Sequence, residues 1–274
     1  MKYGMRKGGV AAPLSTTPLL NFSGLLSTCL AATLVALPPP AKSAEILVAA
    51  AADLAPIERP LAEAFQRATG TQARFVLGAS GMLSRQIRQG APYDVYLSAD
   101  EKLVAELAAS GHLLKDTVRT YATGRLGLWS KKRGFTRPDE LRDNSLQHIA
   151  IANPAHAPYG AAAKQMLESQ GLWKELEPRI VYAENVRQAL QFAESGNADA
   201  VVTAWSLVAG RALLVPETLH PPIRQSGGVV ASTKHAGEAG AFLEFLLGNP
   251  GRAILEGAGF KPWGEPCRTP RTGR

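Results

Sequence analysis

An α/β fold, built on parallel strands with helices on the sheet faces, is what this sequence predicts. Three observations carry that expectation. Apolar runs of strand length alternate with segments of helical period. Several strands pass into helices through loops of Gly, Ala, Ser and Pro. Roughly 230 of the 274 residues remain once an N-terminal leader is set aside, enough for one large domain or two lobes with separate cores.

The leader is residues 1–43. Lys2, Arg6 and Lys7 precede a mostly apolar run from Leu19 to Leu37, closed by Pro38, Pro39 and Pro40 and by the small residues of Ala41-Lys42-Ser43-Ala44. A charged start, an apolar middle and a small-residue end describe a cleaved secretory signal peptide. Ser23, Ser27, Thr28 and Thr33 interrupt the run, which disfavours a membrane anchor. The leader holds four cations (Lys2, Arg6, Lys7, Lys42) and no acid, so its removal takes the net charge from +7 to +3. The basic balance is then largely a leader property and argues for no nucleic-acid partner. Only Cys267 remains in the exported chain, which excludes an intrachain disulfide and a cysteine-based metal site.

The elements follow in order. Ile46 to Ala51 is a continuous apolar run, as in a buried strand. Leu54, Ile57, Leu61, Ala62 and Phe65 have helical spacing, and Gly70 stops that helix. Ala73 to Leu77 is the second strand, and Met82, Leu83 and Ile87 mark a helix ending at Gly90. Asp94 to Leu97 is a strand and Glu101 to Leu107 a helix, with Asp100 placed to cap it. Farther on, Leu126 to Trp129, His148 to Ala152, Ala200 to Thr203 and Val229 to Ala231 are strands. Tyr159 to Gln170, Val186 to Glu194 and Ala241 to Leu247 are helices, the last of these being the final strong one.

Three strand-to-helix junctions stand out: Ala50-Ala51-Ala52-Asp53-Leu54, Gly78-Ala79-Ser80-Gly81, and Asn153 through Gly160. A helix start leaves N–H groups without acceptors and carries a partial positive charge, so it suits an anion. Such junctions gather at the carboxyl ends of the strands, where α/β proteins bind ligands. Close packing alone explains any one of them; three in one chain add weight to binding. No Walker loop, dinucleotide fingerprint or Gly-x-Ser-x-Gly elbow occurs. His112, His148, His156, His220 and His235 show no metal-ligand spacing, and His156 alone falls in a junction. Asp94 and Asp100, which flank a strand, have simpler structural roles than paired acid–base carboxylates.

With those junctions in register, the chain resembles the periplasmic molybdate-binding proteins of ABC importers. The likeness spans about residues 46 to 260. It rests on AAAADL (49–54), GASGMLSRQIRQGAPYDVYLSAD (78–100), YATGRLGLW (121–129), NPAHAPYGAAAKQML (153–167), ENVRQAL (184–190) and GF (259–260). The resemblance implies a two-lobed periplasmic binding protein of type II. Each lobe is a mixed, mostly parallel sheet flanked by helices, and the ligand lies in the interlobe cleft. Residues 44–122 plus 226–274 would form lobe 1 and residues 123–225 lobe 2. It further implies a molybdate or tungstate ligand, no cofactor, no catalysis, an ABC permease as membrane partner and a monomeric receptor in the periplasm.

The site residues carried over are Asp53, Ser80, Gly81, Tyr159 and Val186. Ser80 would contribute its hydroxyl, and Gly81, Tyr159 and Val186 their backbone N–H groups. No residue would ligate the metal directly. Asp53 stands where relatives commonly have Ser or Thr. Its carboxylate is expected to turn away and cap its helix, leaving its N–H for the ligand. Some relatives supply a Tyr hydroxyl where this chain has Ala204, and Tyr159 or Ser206 are the candidate replacements. A receptor for sulfate or phosphate is the nearest alternative. A secreted enzyme acting on an anion, or the effector domain of a transcription regulator, fits less well.

Overall fold

The computed structural model describes residues 44–263; the leader and Cys267 lie outside them. Strand β1 (Glu45–Ala51) leads through a 3-10 turn (Ala52–Leu54) to α1 (Glu58–Thr69), and β2 (Gln72–Gly78) leads to α2 (Ser80–Arg88). Next come β3 (Val95–Ser98), α3 (Glu101–Ala109), β4 (Arg119–Gly124) and β5 (Leu126–Trp129). They are followed by β6 (Ile149–Ala152), α4 (Pro158–Ser169), the short α5 (Trp173–Leu176), β7 (Ile180–Ala183) and α6 (Val186–Ser195). Then come β8 (Ala200–Ala204), the one-turn α7 (Trp205–Val208), β9 (Leu213–Leu214) and β10 (Ile223–Val229). The described chain ends with α8 (Ala236–Leu247), α9 (Asn249–Gly257) and β11 (Lys261–Pro262).

Two sheets result. The first has the order β11-β4-β10-β3-β1-β2 and the second β7-β6-β8-β5-β9. Parallel pairing is confined to β1 with β2 and β3, and to β6 with β7 and β8. The remaining pairs are antiparallel, so the sheets are mixed without being mostly parallel. The chain changes sheet at Arg125 and returns ahead of Ile223. Thr123 and Gly124 pair with Arg224 and Ile223 in the first sheet, so these residues lie outside the second sheet to which the 123–225 span assigned them.

Strand alternation builds a core on each face. In β1, Ile46, Val48 and Ala50 face Leu61 and Phe65 of α1 and Phe242 of α8, whereas Ala49 joins Leu83, Tyr96 and Leu107 on the other side. Phe65 meets Phe242 edge-on at 5.1 Å. In the second sheet Ile149 and Ile151 pack with Met166 and Leu167 of α4, and Ala150 with Ala189 and Ala193 of α6. Gly70, at φ 77°, caps α1, and the Asp100 carboxylate accepts the Lys102 N–H at 2.9 Å, as expected from the sequence. No helix among the described residues is long and apolar enough to cross a membrane.

Three expectations shift. The helix beginning at Leu54 divides into the 3-10 turn and α1, because Pro60 has no N–H to continue a ladder back to Pro56. The first α-helical bond runs from Leu61 N–H to Ile57. Of the strand placed at Val229–Ala231 only Val229 belongs to β10, whose polar Arg224-Gln225-Ser226 hid its start. Helix α9 follows α8, with Pro250 tolerated in its first turn.

Candidate functional site

The carboxyl ends of β1, β2 and β6 and the loop after β7 converge on one small cavity. Its walls are Ala51, Ala52, Asp53, Gly78, Ala79, Ser80 and Ala99 from the first sheet, and Ala157, Pro158, Tyr159, Asn185 and Val186 from the second. The starts of α2, α4 and α6 therefore meet there, with the 3-10 turn between them. The free space is narrow, about 10 Å³, or one water-sized sphere.

Each start has a local cause. Asn153 accepts N–H bonds from Ala155 through its side chain and from Ala157 through its carbonyl, folding the loop that launches α4. Gly160 lets that helix sit against β6, since a Cβ there would lie 2.0 Å from the Ala152 carbonyl oxygen. Asn185 caps α6 by accepting the N–H groups of Arg187 and Gln188, which leaves Val186 N–H without an intrahelical acceptor. Thr203 pins the same turn by donating to the Val186 carbonyl at 2.9 Å.

Ser80 is 1% exposed and held at two points. Tyr96 donates to its carbonyl at 2.8 Å, and Ala99 N–H donates to its hydroxyl oxygen at 3.0 Å. The hydroxyl thus spends a lone pair on Ala99 and keeps its hydrogen for an acceptor in the cavity.

Asp53 departs from its expected role. It caps no helix; Ala51 occupies the cap of the 3-10 turn, which has no side-chain cap bond. Its Oδ2 accepts from the Tyr159 hydroxyl at 2.8 Å and from Gln225 Nε2 at 2.7 Å, and Gln225 Oε1 accepts from the Tyr121 hydroxyl at 3.0 Å. Gly124 makes the room, because a Cβ there would stand 2.0 Å from the Tyr159 hydroxyl oxygen. Oδ1 is buried and has no hydrogen-bond partner. Burial raises the Asp53 pKa to about 6, against the opposing pull of Tyr159, Gln225 and the N–H groups of Asp53 and Leu54. Burial, reinforced by the charge of Asp53, holds the Tyr159 and Tyr121 hydroxyls well above the usual range, so both stay neutral.

Gly81 also departs. Its N–H donates to the His156 carbonyl at 3.0 Å, a bond from α2 to the α4 loop, and Gly81 is not part of the cavity wall. Neither candidate replaces the Tyr hydroxyl missing at Ala204. Ser206 donates to the Asp53 carbonyl at 2.7 Å and Tyr159 to its carboxylate, while Ala204 ends β8 opposite Leu126. Gln225, Tyr121 and Gly124, which the sequence reading did not name as site residues, complete the surroundings of Asp53.

The wall brings together the Ser80 hydroxyl and the helix-start residues Tyr159 and Val186 beside Asp53. It contains no Lys, Arg or His. No cluster of His, Cys, Asp and Glu suited to a metal ion occurs among the described residues. A wider open groove of about 360 Å³ shares Ala99 and Pro158 with the cavity. It has Lys102 and Arg224, but Asp100 and Glu101 stand beside them and Glu101 pairs with Arg224 at 2.7 Å.

Two lobes that turn strand ends and helix starts toward one shared cavity define a type II substrate-binding protein. Residues 46–261 match the model of the bacterial extracellular solute-binding protein family. The molybdate-binding protein ModA of Rhodobacter capsulatus is 35% identical over 214 residues, covering 76% of this chain and 84% of that protein. The structure of the periplasmic molybdate-binding protein of Azotobacter vinelandii superposes with a TM-score of 0.77 at 34% identity, covering 80% of this chain and all of the other. The sulfate-binding protein SubI of Mycobacterium tuberculosis shares the fold at 19% identity and a TM-score of 0.64, covering 80% of this chain and 87% of that one. The chain belongs to the bacterial extracellular solute-binding proteins, within the ModA molybdate-binding family.

Proposed function

We propose that this protein captures molybdate or tungstate in the cavity between its lobes and hands it to an ABC importer in the membrane. The carrying observation is the meeting of three helix starts and the Ser80 hydroxyl at one cavity whose wall holds no cation. Neutral donors replace the water lost by a buried dianion without introducing a second charge. About four such bonds, at roughly 1.5–3 kcal/mol each, offset an association cost of several kilocalories and leave binding of about micromolar strength at the upper end of that range.

In this reading Asp53 N–H, Ser80 O–H, Tyr159 N–H and Val186 N–H hold the oxygens, and no residue touches the metal. The division into lobes follows the sheets, with the crossings at Arg125 and ahead of Ile223, and the Gly81–His156 bond joins the lobes on closure. The protein acts as a monomeric receptor in the periplasm, exported by its cleaved leader, and needs neither cofactor nor catalytic group. Calorimetric titration with molybdate, tungstate, sulfate and phosphate tests the proposal. Molybdate and tungstate should bind at least about 100-fold more tightly than sulfate, a gap of about 2.7 kcal/mol. Equal affinity for sulfate would make this a general tetrahedral-oxyanion receptor instead.

A further inference from the structure

We infer that this protein takes up one proton as it binds its dianion, and that Asp53 holds that proton and donates it from Oδ1 to an anion oxygen. The inference rests on the oxyanion reading above and adds to it a charge-carrying step. Asp53 is fully buried and lies in the cavity wall. Its Oδ2 already accepts two bonds, from Tyr159 and Gln225. Its Oδ1 accepts none of hydrogen-bond geometry. A proton taken up on Oδ1 would turn an acceptor that has no partner into a donor.

The charge of the carboxylate is offset only by neutral donors: Tyr159, Gln225 and the N–H groups of Asp53 and Leu54. Tyr159 of α4 faces the carboxylate directly, and Tyr121 of β4 reaches it through Gln225 of β10. Ser206 of α7 donates to the Asp53 carbonyl. Asn185 and Val186 at the start of α6 and Gly78 at the end of β2 are uncharged, and Arg187 on α6 is exposed to solvent. Both tyrosines stay neutral, which leaves Asp53 as the group in this shell that titrates near neutrality. An ionised Asp53 and a dianion would put three negative charges in one sealed space. Taking one proton from solvent reduces that to two and changes no bond within the anion.

The sign follows from linkage. Asp53 is an acid whose pKa already stands at about 6 through burial, and a neighbouring dianion raises it further. The complex holds the proton more tightly than the free protein does. Affinity is therefore highest below about pH 6 and falls as pH rises, by up to tenfold per pH unit for one proton.

The test is calorimetric titration of the exported chain with molybdate at pH 6, 7 and 8, in buffers of different ionisation enthalpy. The expected result is uptake of close to one proton near pH 7.5 and an affinity about tenfold weaker at pH 8 than at pH 7. Asp53→Asn, whose amide N–H stands in for the acid O–H, should bind with a pH profile flat within about twofold. A flat wild-type profile without proton uptake overturns the inference while the oxyanion reading stands. An Asn variant that keeps the wild-type slope also overturns it, since the proton then resides elsewhere. Should that variant fail to fold, the wild-type proton count decides alone. If the wild-type chain binds no molybdate at pH 6, the oxyanion reading fails and the inference falls with it.

Discussion

The two walls of the cavity solve one problem by different means. The first-lobe wall presents side-chain chemistry: the Ser80 hydroxyl, fixed by Tyr96 and Ala99, and the Asp53 carboxyl, fixed by Tyr159 and Gln225. The second-lobe wall presents main chain. Tyr159 and Val186 stand in the first turns of α4 and α6, where N–H groups lack intrahelical acceptors, while the Tyr159 hydroxyl is spent on Asp53 and the Val186 side chain packs in the core. Chemistry that depends on residue identity, including sensitivity to pH, is thus concentrated on one wall. The other depends on how closely its helices approach the strands beneath them.

That contrast sets an order of expected effects. Gly160→Ala should be the most damaging change to the main-chain wall. A Cβ 2.0 Å from the Ala152 carbonyl must lift the start of α4 and the Tyr159 N–H with it. Overpacking of this kind costs about 1–3 kcal/mol, so the thermal midpoint should drop by roughly 3–10 °C, and molybdate affinity by more than about 100-fold. Calorimetry of unfolding and of binding measures both.

Ser80→Ala removes one donor to a charged ligand and leaves Ala99 N–H without its acceptor. Affinity should weaken by about 10- to 100-fold with the fold kept, as titration and circular dichroism would show. Gly81→Ala acts on closure. Its Cβ would come within 2.9 Å of the His156 carbonyl oxygen across the lobes. A loss of about five- to tenfold, equivalent to about 1 kcal/mol, should accompany a larger radius of gyration of the ligand-saturated protein in small-angle scattering. Val186→Ala is expected to do least to binding, under about threefold, because the backbone N–H remains. Its cost of about 1–2 kcal/mol should appear in stability alone. A large loss of affinity there would erase the distinction between the walls.

The helix starts at the cavity were more legible in the sequence than the side-chain contacts around Asp53, for physical reasons. Helix starts are signalled locally: Asn153, Pro158 and Asn185 announce α4 and α6 by capping and turn chemistry, and the positions of Tyr159 and Val186 follow from them. The fate of the Asp53 carboxylate was not local. It is decided by Gln225, 172 residues away, and by the space left at Gly124. Reading Asp53 as a helix cap weighed the nearest N–H groups and missed a donor brought in by the return crossing of the chain. Gly81 failed similarly, because its N–H is claimed by the His156 carbonyl from the opposite lobe. Strand β10 lay hidden because Arg224, Gln225 and Ser226 look like loop residues, although both Gln225, paired with Ala122, and Ser226, paired with Thr120 and Ser98, are buried.

The most direct test of the central claim, that neutral donors at helix starts hold the anion, is the anomalous signal of tungsten in crystals grown with tungstate. The account predicts one strong peak in the narrow cavity, within hydrogen-bonding reach of Ser80, Tyr159 N–H and Val186 N–H, with no lysine or arginine in contact. A peak in the neighbouring groove on Lys102 and Arg224, with the cavity unchanged, would contradict it.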